Sequence, residues 1–290
     1  MKVTGFTFIR NAIKYDYPVA EAIRSILPIC DDLIVAVGNS EDATLKLIKK
    51  IAPGKIRIVE TVWDDSLREG GRVLAIETDK AFQAIESDTD WCFYIQADEV
   101  VHEKYINTIR KAMIQWKDDK NVDGLLFKYL HFYGSYDYIG SSPSWYDREI
   151  RIVRNNKNIY SYRDAQGFRK GKNEKLNVKP IDAYIYHYGW VKKPEAMQKK
   201  QEQFHKLWHD DEWVNKNIVK TPVFDYAKHI DSLELFKGTH PAVMQKRINE
   251  KNWKFDYDIS YNHLSIKKRL KKFAKEKLGL DFSYKNYELV

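Results

Sequence analysis

"DWCFYIQADEVVHE" (residues 90–103) starts as an unbroken apolar run and turns abruptly acidic. Trp91, Cys92, Phe93, Tyr94 and Ile95 lack the alternation of a half-exposed strand, so the run predicts a strand buried on both faces. Asp98 and Glu99 then stand where that strand leaves the core. One reading is a plain strand end meeting solvent. The other is a carboxylate delivered to the carboxyl edge of an open α/β sheet, where such sheets bind ligands.

The flanking sequence supplies the sheet. "VTGFTFIR" (3–10) reads as a buried strand, and "YPVAEAIRSILPIC" (17–30) carries helical spacing from a start near Pro18. "DDLIVAVG" (31–38) is a second strand, and in "NSEDATLKLIKKIA" Ser40, Glu41 or Asp42 caps or opens a helix. "KIRIVET" (55–61) is a third strand, "GGRVLAIETDKAFQAIE" (70–86) a helix, and 90–99 a fourth strand. The βαβαβαβ order predicts an α/β fold with a mostly parallel sheet and right-handed crossovers. A helix over 104–116 leads to a strand in "DGLLFKYLHFYG" (123–134). Two strands follow in 148–162, joined at Asn155-Asn156-Lys157-Asn158, then a short strand over 182–190 and a helix over 193–209. Beyond about residue 235 the pattern loosens, so the expected division is a main domain of 1–235 and a C-terminal extension of 236–290.

Composition narrows the classes. The 290 residues are 43% hydrophobic and 14% aromatic, enough for a large core and too apolar for a disordered chain. No run approaches the roughly 20 apolar residues of a membrane span, and the start lacks a secretory pattern, so residence in the cytoplasm is expected. Cys30 and Cys92 sit among apolar neighbours, which argues against a disulfide framework or a cysteine zinc site. The net charge of +8 suits anionic partners or a merely solubilising surface. No zinc-finger, RNP or helix-turn-helix pattern supports nucleic acid.

The ordered set "FIRNA", "GNSEDAT", a helix opened by Gly70-Gly71 and "QADE" resembles the family 2-like glycosyltransferases of the GT-A fold, over roughly residues 3–190. The resemblance implies a Rossmann-like mixed sheet flanked by helices. It also implies a nucleotide-sugar donor, a glycan or lipid-linked acceptor, inversion at the anomeric carbon, and Mn²⁺ or Mg²⁺ on the diphosphate. In that family the second strand leads into a segment close to Asp-x-Ser-x-Asp-Gly-Thr, and the fourth ends in Asp-x-Asp. This chain retains Asp98 but has Gln96 at the first acid, and Gly38 stands where an Asp often contacts the nucleobase. Gln96 can hydrogen-bond a ribose or a metal-bound water but brings no charge.

The resemblance makes His187, in "YIYHYGW", the candidate that completes a metal site with Asp98; otherwise it is a histidine packed among tyrosines. Asp164, in "YSYRDAQGF", is the candidate catalytic base by the same resemblance, with Glu99, Asp147 and Glu149 as rivals; otherwise it is a turn residue beside Arg163. Arg10, Asn11, Asn39, Asp42 and Arg72 are candidate donor contacts, each also explicable as an ordinary strand end, cap or helix entry. In 148–154, strict alternation would put Arg148 and Arg154 on the face of Ile150 and Ile152, with Arg151 opposite beside Glu149 and Val153. The aromatics of 129–146 suit an acceptor flap or a core. Residues 264–277 form a basic amphipathic helix suited to an anionic membrane surface, or docked on the core with its charges solvated. A sugar-nucleotide nucleotidyltransferase and a catalytically inactive glycan- or lipid-binding protein are the alternative functions. The first normally opens with a Gly-rich phosphate loop, which "FIRNAIKYDYP" lacks.

Overall fold

The computed structural model describes residues 1–218, 221–261 and 263–290. Strands β1 (Val3–Ile9), β2 (Asp32–Gly38), β3 (Ile56–Thr61) and β4 (Trp91–Tyr94) lie parallel in the order β3-β2-β1-β4. Helices α1 (Val19–Ile26), α2 (Thr44–Ile51) and α3 (Arg72–Gln83) connect them. Both faces are covered, which is why the strands read as continuous apolar runs. Val35, Trp91 and Phe93 pack on the side of α1 and α2; Ile34, Ala36, Cys92 and Tyr94 pack on the side of α3. Both cysteines are buried and free.

The expected strand over 90–99 is two elements. β4 stops at Tyr94, and after a turn through Gln96–Asp98, β5 (Glu99–Val101) pairs antiparallel with a different strand. The break comes at the sheet edge, where Glu99 accepts the Gln96 amide (3.0 Å) and folds the turn back on itself. Asp98 lies in that turn.

Helix α4 (Ile106–Trp116) precedes β6 (Gly124–Tyr133), short β7 (Tyr138–Gly140), β8 (Arg148–Arg154), β9 (Ile159–Tyr162), β10 (Gly167–Lys170) and the 17-residue β11 (Glu174–Trp190). β8 lies antiparallel between β4 and β6, while β6 and β11 are parallel neighbours, giving a mixed, mostly parallel α/β sheet flanked by helices. The short strand expected over 182–190 is thus the second half of β11. Its polar first half, "EKLNVKPI", gave no apolar signal because alternate residues face solvent.

Strict alternation fails in β8. Ile150 and Val153 enter the core with Phe6 and Tyr94, while Ile152 enters the opposite core with Phe93 and Leu125. The register against β6 slips there, with Leu125 opposite Ile152 and Leu126 opposite Ile150, leaving Arg151 as the extra residue of a bulge. Arg151 is fully buried, so it is no display of charge at a strand end.

After β11 come α5 (Pro194–Lys206), α6 (Asp211–Asn217), β12 (Leu233–Leu235), α7 (Gln245–Asn249), α8 (Ile266–Leu278) and β13 (Tyr287–Leu289). β13 pairs with the start of β11, and Tyr287 is buried in the core beside Leu176 and Val178. Among the described residues no helix is long and apolar enough to cross a membrane.

Candidate active site

A cavity of about 880 Å³ opens at the carboxyl ends of β1 and β4. β1 supplies Phe8 and the segment just after it Arg10, the β4–β5 turn supplies Gln96 and Asp98, and His187 enters from β11 and Lys200 from α5. Trp63, Trp145, Tyr146 and Asp164 also line it.

At its centre, Asp98 Oδ1 lies 3.7 Å from His187 Nε2, and Oδ2 accepts from Lys200 Nζ at 3.2 Å. Lys200 is held in place by the Gly189 carbonyl, 2.8 Å away. Burial opposes ionisation of Asp98, but Lys200, His187 and Lys192 outweigh it and hold the carboxyl down to about 2. Burial lowers the His187 pKa, with the Asp98 carboxylate opposing it. Burial also pushes Lys192 down to about 7.

The second ring nitrogen of His187 is engaged too. Its Nδ1 lies 3.1 Å from His131 Nδ1, and His131 Nε2 lies 2.8 Å from the Tyr146 carbonyl. Burial and the neighbouring His187 push His131 down to about 3.

Asp164 lies in the turn between β9 and β10, flanked by two residues with left-handed backbone, Arg163 (φ 55°) and Ala165 (φ 65°). Such conformations persist only where surrounding contacts over-determine them. Here Gln96 Nε2 donates to the Ala165 carbonyl (3.0 Å) and Arg151 Nη1 to the Gln166 carbonyl (2.8 Å). Burial raises the Asp164 pKa above the ordinary carboxylate range. A second cavity of about 380 Å³, walled by Tyr284 and Asn286 of the C-terminal segment, shares Tyr146, Asp164 and Gln166 with the first. Asp164 therefore stands where the two cavities meet.

The structure brings together Arg10, Gln96, Asp98, Asp164 and His187 and separates the other candidates. Glu99 does not reach the cavity: fully buried in β5, it receives Arg151 through both oxygens and the Tyr129 hydroxyl at 2.8 Å. Asn11 ties two loops together, its side-chain oxygen accepting the Glu41 amide at 2.7 Å. Asn39 accepts the Trp63 amide (3.1 Å), and Asp42 accepts the Thr44 amide (2.9 Å) at the start of α2. Arg72 is exposed on a different depression beside Trp208 and Trp213. Asp147 and Glu149 line only the second cavity, and Asp147 pairs with Lys275.

Gly38 also has a local cause. A Cβ there would stand 2.3 Å from Trp63 Nε1, so the indole that lines the cavity occupies the space an aspartate would need. Arg10 lies over that indole, 4.9 Å from its centre, and pairs with Asp65 at 2.7 Å. Of the aromatics in 129–146, Tyr129, Phe132, Tyr133, Tyr136 and Tyr138 are core, and Trp145 and Tyr146 reach the cavity wall. Sequence reading missed Lys200 and Trp63, and took His131 only as one ring of the 129–146 cluster. The first two come from elements with no motif, and only the pairing of His131 opposite His187 across β6 and β11 singles it out.

No family model matches the chain, and no curated protein matches it. Solved structures to which the chain shows similarity include S. aureus TarS, at 17% identity and a TM-score of 0.40, covering 70% of this chain and 39% of that one. Another is glucosyl-3-phosphoglycerate synthase from Mycobacterium tuberculosis in complex with Mn²⁺, uridine diphosphate and phosphoglyceric acid. It is 20% identical, with a TM-score of 0.29, covering 45% and 43%. A third is 4-diphosphocytidyl-2C-methyl-D-erythritol synthase from Anaerococcus prevotii, at 11% and 0.37, covering 66% and 89%. The chain spans well under two thirds of the TarS chain. At such TM-scores these likenesses assign it to no family and no activity.

Proposed function

We propose that the chain is a glycosyltransferase that takes a sugar from a nucleotide-sugar donor to a hydroxyl of a glycan or lipid-linked acceptor, with inversion. The observation that carries this reading is the convergence of Asp98 Oδ1 and His187 Nε2, 3.7 Å apart at the carboxyl edge of the sheet, in a cavity large enough for donor and acceptor.

A divalent cation fits this pair. Tyr146 O can only accept, so His131 carries its proton on Nε2; its bare Nδ1 must then accept from His187 Nδ1–H. His187 Nε2 is left with a lone pair facing an ionised carboxylate, an arrangement that calls for a cation between them. Among the described residues no third His, Cys, Asp or Glu completes a cluster, so Asp98 and His187 are the two side chains that would hold the ion. When bound, the metal supplies charge neutralisation for the departing nucleoside diphosphate.

The chain's own groups take the other roles. Lys200, held on Asp98, adds fixed positive charge beside the diphosphate. Arg10 and Trp63 offer a cation and an aromatic face for the nucleoside, and Gln96 a hydrogen-bonding amide. Asp164 takes the proton of the acceptor hydroxyl as that oxygen bonds to the anomeric carbon and the bond to the diphosphate breaks. Burial makes its carboxylate a stronger base. We assign α8 to an anionic membrane surface: it carries exposed Ile266, Leu270 and Phe273 among seven Lys or Arg residues within 264–277.

The test is thermal unfolding with UDP, GDP, CMP and dTDP, each with and without Mn²⁺, on the wild type and Asp98→Asn. Stabilisation by one nucleotide only with metal, lost in Asp98→Asn, is expected, because a ligand of the native state raises the melting temperature by mass action. No shift with any pair would redirect the reading to a non-catalytic glycan-binding protein.

A further inference from the structure

We infer that His131 is a positioning residue for the metal seat: it fixes His187 in the one tautomer that can ligate a cation through Nε2. This rests on the transferase reading above.

The inference starts from strand register. His131 on β6 and His187 on β11 are direct partners in the parallel ladder, so their side chains leave the same face together. Their Nδ1 atoms meet at 3.1 Å. A neutral imidazole has one donor and one acceptor nitrogen, and here the choice is dictated from outside the pair. The Tyr146 carbonyl, 2.8 Å from His131 Nε2, can only accept, so His131 keeps its proton on Nε2 and donates it there as a hydrogen bond. Each later assignment follows, ending in a bare His187 Nε2 aimed at Asp98. Without His131, the simplest hydrogen bond for His187 is the opposite one, Nε2–H donated to the Asp98 carboxylate, which closes the seat.

The ring that transmits this choice is clamped. His131 is 3% exposed and stacks with both Tyr129 (centroids 5.4 Å, 25°) and Trp145 (4.9 Å, 28°), with Tyr146 edge-on at 4.5 Å. A half-turn of the ring would keep both stacks but turn carbons toward His187 Nδ1 and the Tyr146 carbonyl, losing both hydrogen bonds. Partners of this outer kind set ligand orientation and basicity, and their loss typically lowers metal affinity about 10–100-fold.

The experiment has two readouts on the full chain. In the metal-free protein above neutral pH, ring ¹⁵N shifts and long-range ¹H–¹⁵N correlations report which nitrogen of His187 carries the proton. Mn²⁺ affinity is then titrated by electron paramagnetic resonance, with and without the stabilising nucleoside diphosphate. The wild type is expected to hold the His187 proton on Nδ1. His131→Phe keeps a ring in the stack but removes the acceptor, and should move the proton to Nε2 and weaken Mn²⁺ about 10–100-fold. His131→Asn places an amide oxygen near the former Nδ1 and should restore both. A wild-type His187 protonated on Nε2 overturns the inference, as does a folded His131→Phe that binds Mn²⁺ like the wild type. If the wild type itself binds no Mn²⁺, with or without nucleotide, the metal reading fails first and this one with it. If it binds and His131→Phe binds equally, this inference alone fails.

Discussion

Arg151 and Glu99 form a two-pronged ion pair with no exposure to solvent on either side chain. Nε reaches Oε2 at 2.8 Å and Nη2 reaches Oε1 at 2.7 Å. Tyr129 hydroxyl and Gln96 amide complete the carboxylate, and Arg151 Nη1 spends its protons on two carbonyls, Ile150 and Gln166. The pair therefore anchors both the turn that carries Asp98 and the turn that carries Asp164. Removing one partner strands a buried charge, so Glu99→Ala and Arg151→Ala should each cost about 3–5 kcal/mol, whereas Glu99→Leu with Arg151→Met should cost much less than the sum. Urea unfolding measures all three; single losses under about 1 kcal/mol would contradict the burial of the pair.

This pair also marks the limit of what the sequence discloses. Buried strands β1, β2 and β4 announce themselves, because apolar runs bounded by polar turns have few other solutions, and Asp98 follows directly from the exit of β4. Arg151 does not, because a bulge has no composition signal and period-two reading puts Ile150 and Ile152 on one face. Glu99 looked like a site acid for the same reason: its neutralising partner is 52 residues away. Lys200 was hidden in a lysine-rich helix, where only packing of α5 beside the β4–β5 turn distinguishes it from its neighbours. The parts set by local pattern were legible, and the parts set by long-range charge pairing were not.

Glu149 offers a prediction of opposite sign. It is 2% exposed, and burial pushes its carboxyl up to about 7, with Arg151 opposing. An acid raised in the folded state contributes stability below its unfolded pKa of about 4.5 and loses it as pH rises through about 7. Glu149→Gln, which keeps the acceptor for the Ile150 amide, should thus gain on the wild type as pH rises from 4 to 8, by up to about 3 kcal/mol. Denaturant unfolding across that range reads the crossing; parallel curves would show that Glu149 titrates normally.

Asp164 should set the acidic limb of activity. A base must be ionised, and burial raises this carboxyl, so kcat/KM should fall with falling pH on a limb displaced above that of an ordinary carboxylate. Asp164→Asn should lower kcat by about 10²–10⁴-fold and abolish that limb. Nucleotide-dependent thermal shifts should persist, because the donor contacts assigned here lie elsewhere in the cavity. A variant that transfers sugar at the wild-type rate would pass the role of base to another group.

Helix α8 gives the last prediction. Ser265 caps its start and Gly279, with φ 67°, ends it. None of its residues is buried, and Ile266, Leu270 and Phe273 are 79%, 64% and 56% exposed along one stripe. A helix docked on a core through its apolar side would hide these residues; here Lys268 pairs with Asp231 and Lys275 with Asp147, so the charged flank faces the protein instead. The stripe is thereby turned outward with Lys267 and Lys271 among the basic residues near it. Apolar insertion and charge should both contribute to binding, the latter about 1 kcal/mol per basic residue near an anionic surface. Co-sedimentation with vesicles rich in phosphatidylglycerol should therefore exceed that with phosphatidylcholine and weaken with salt, and Leu270→Ser with Phe273→Ser should reduce it at least tenfold without altering the melting temperature. Equal binding to both vesicle types would remove the charge argument, and an undiminished double variant would remove the stripe.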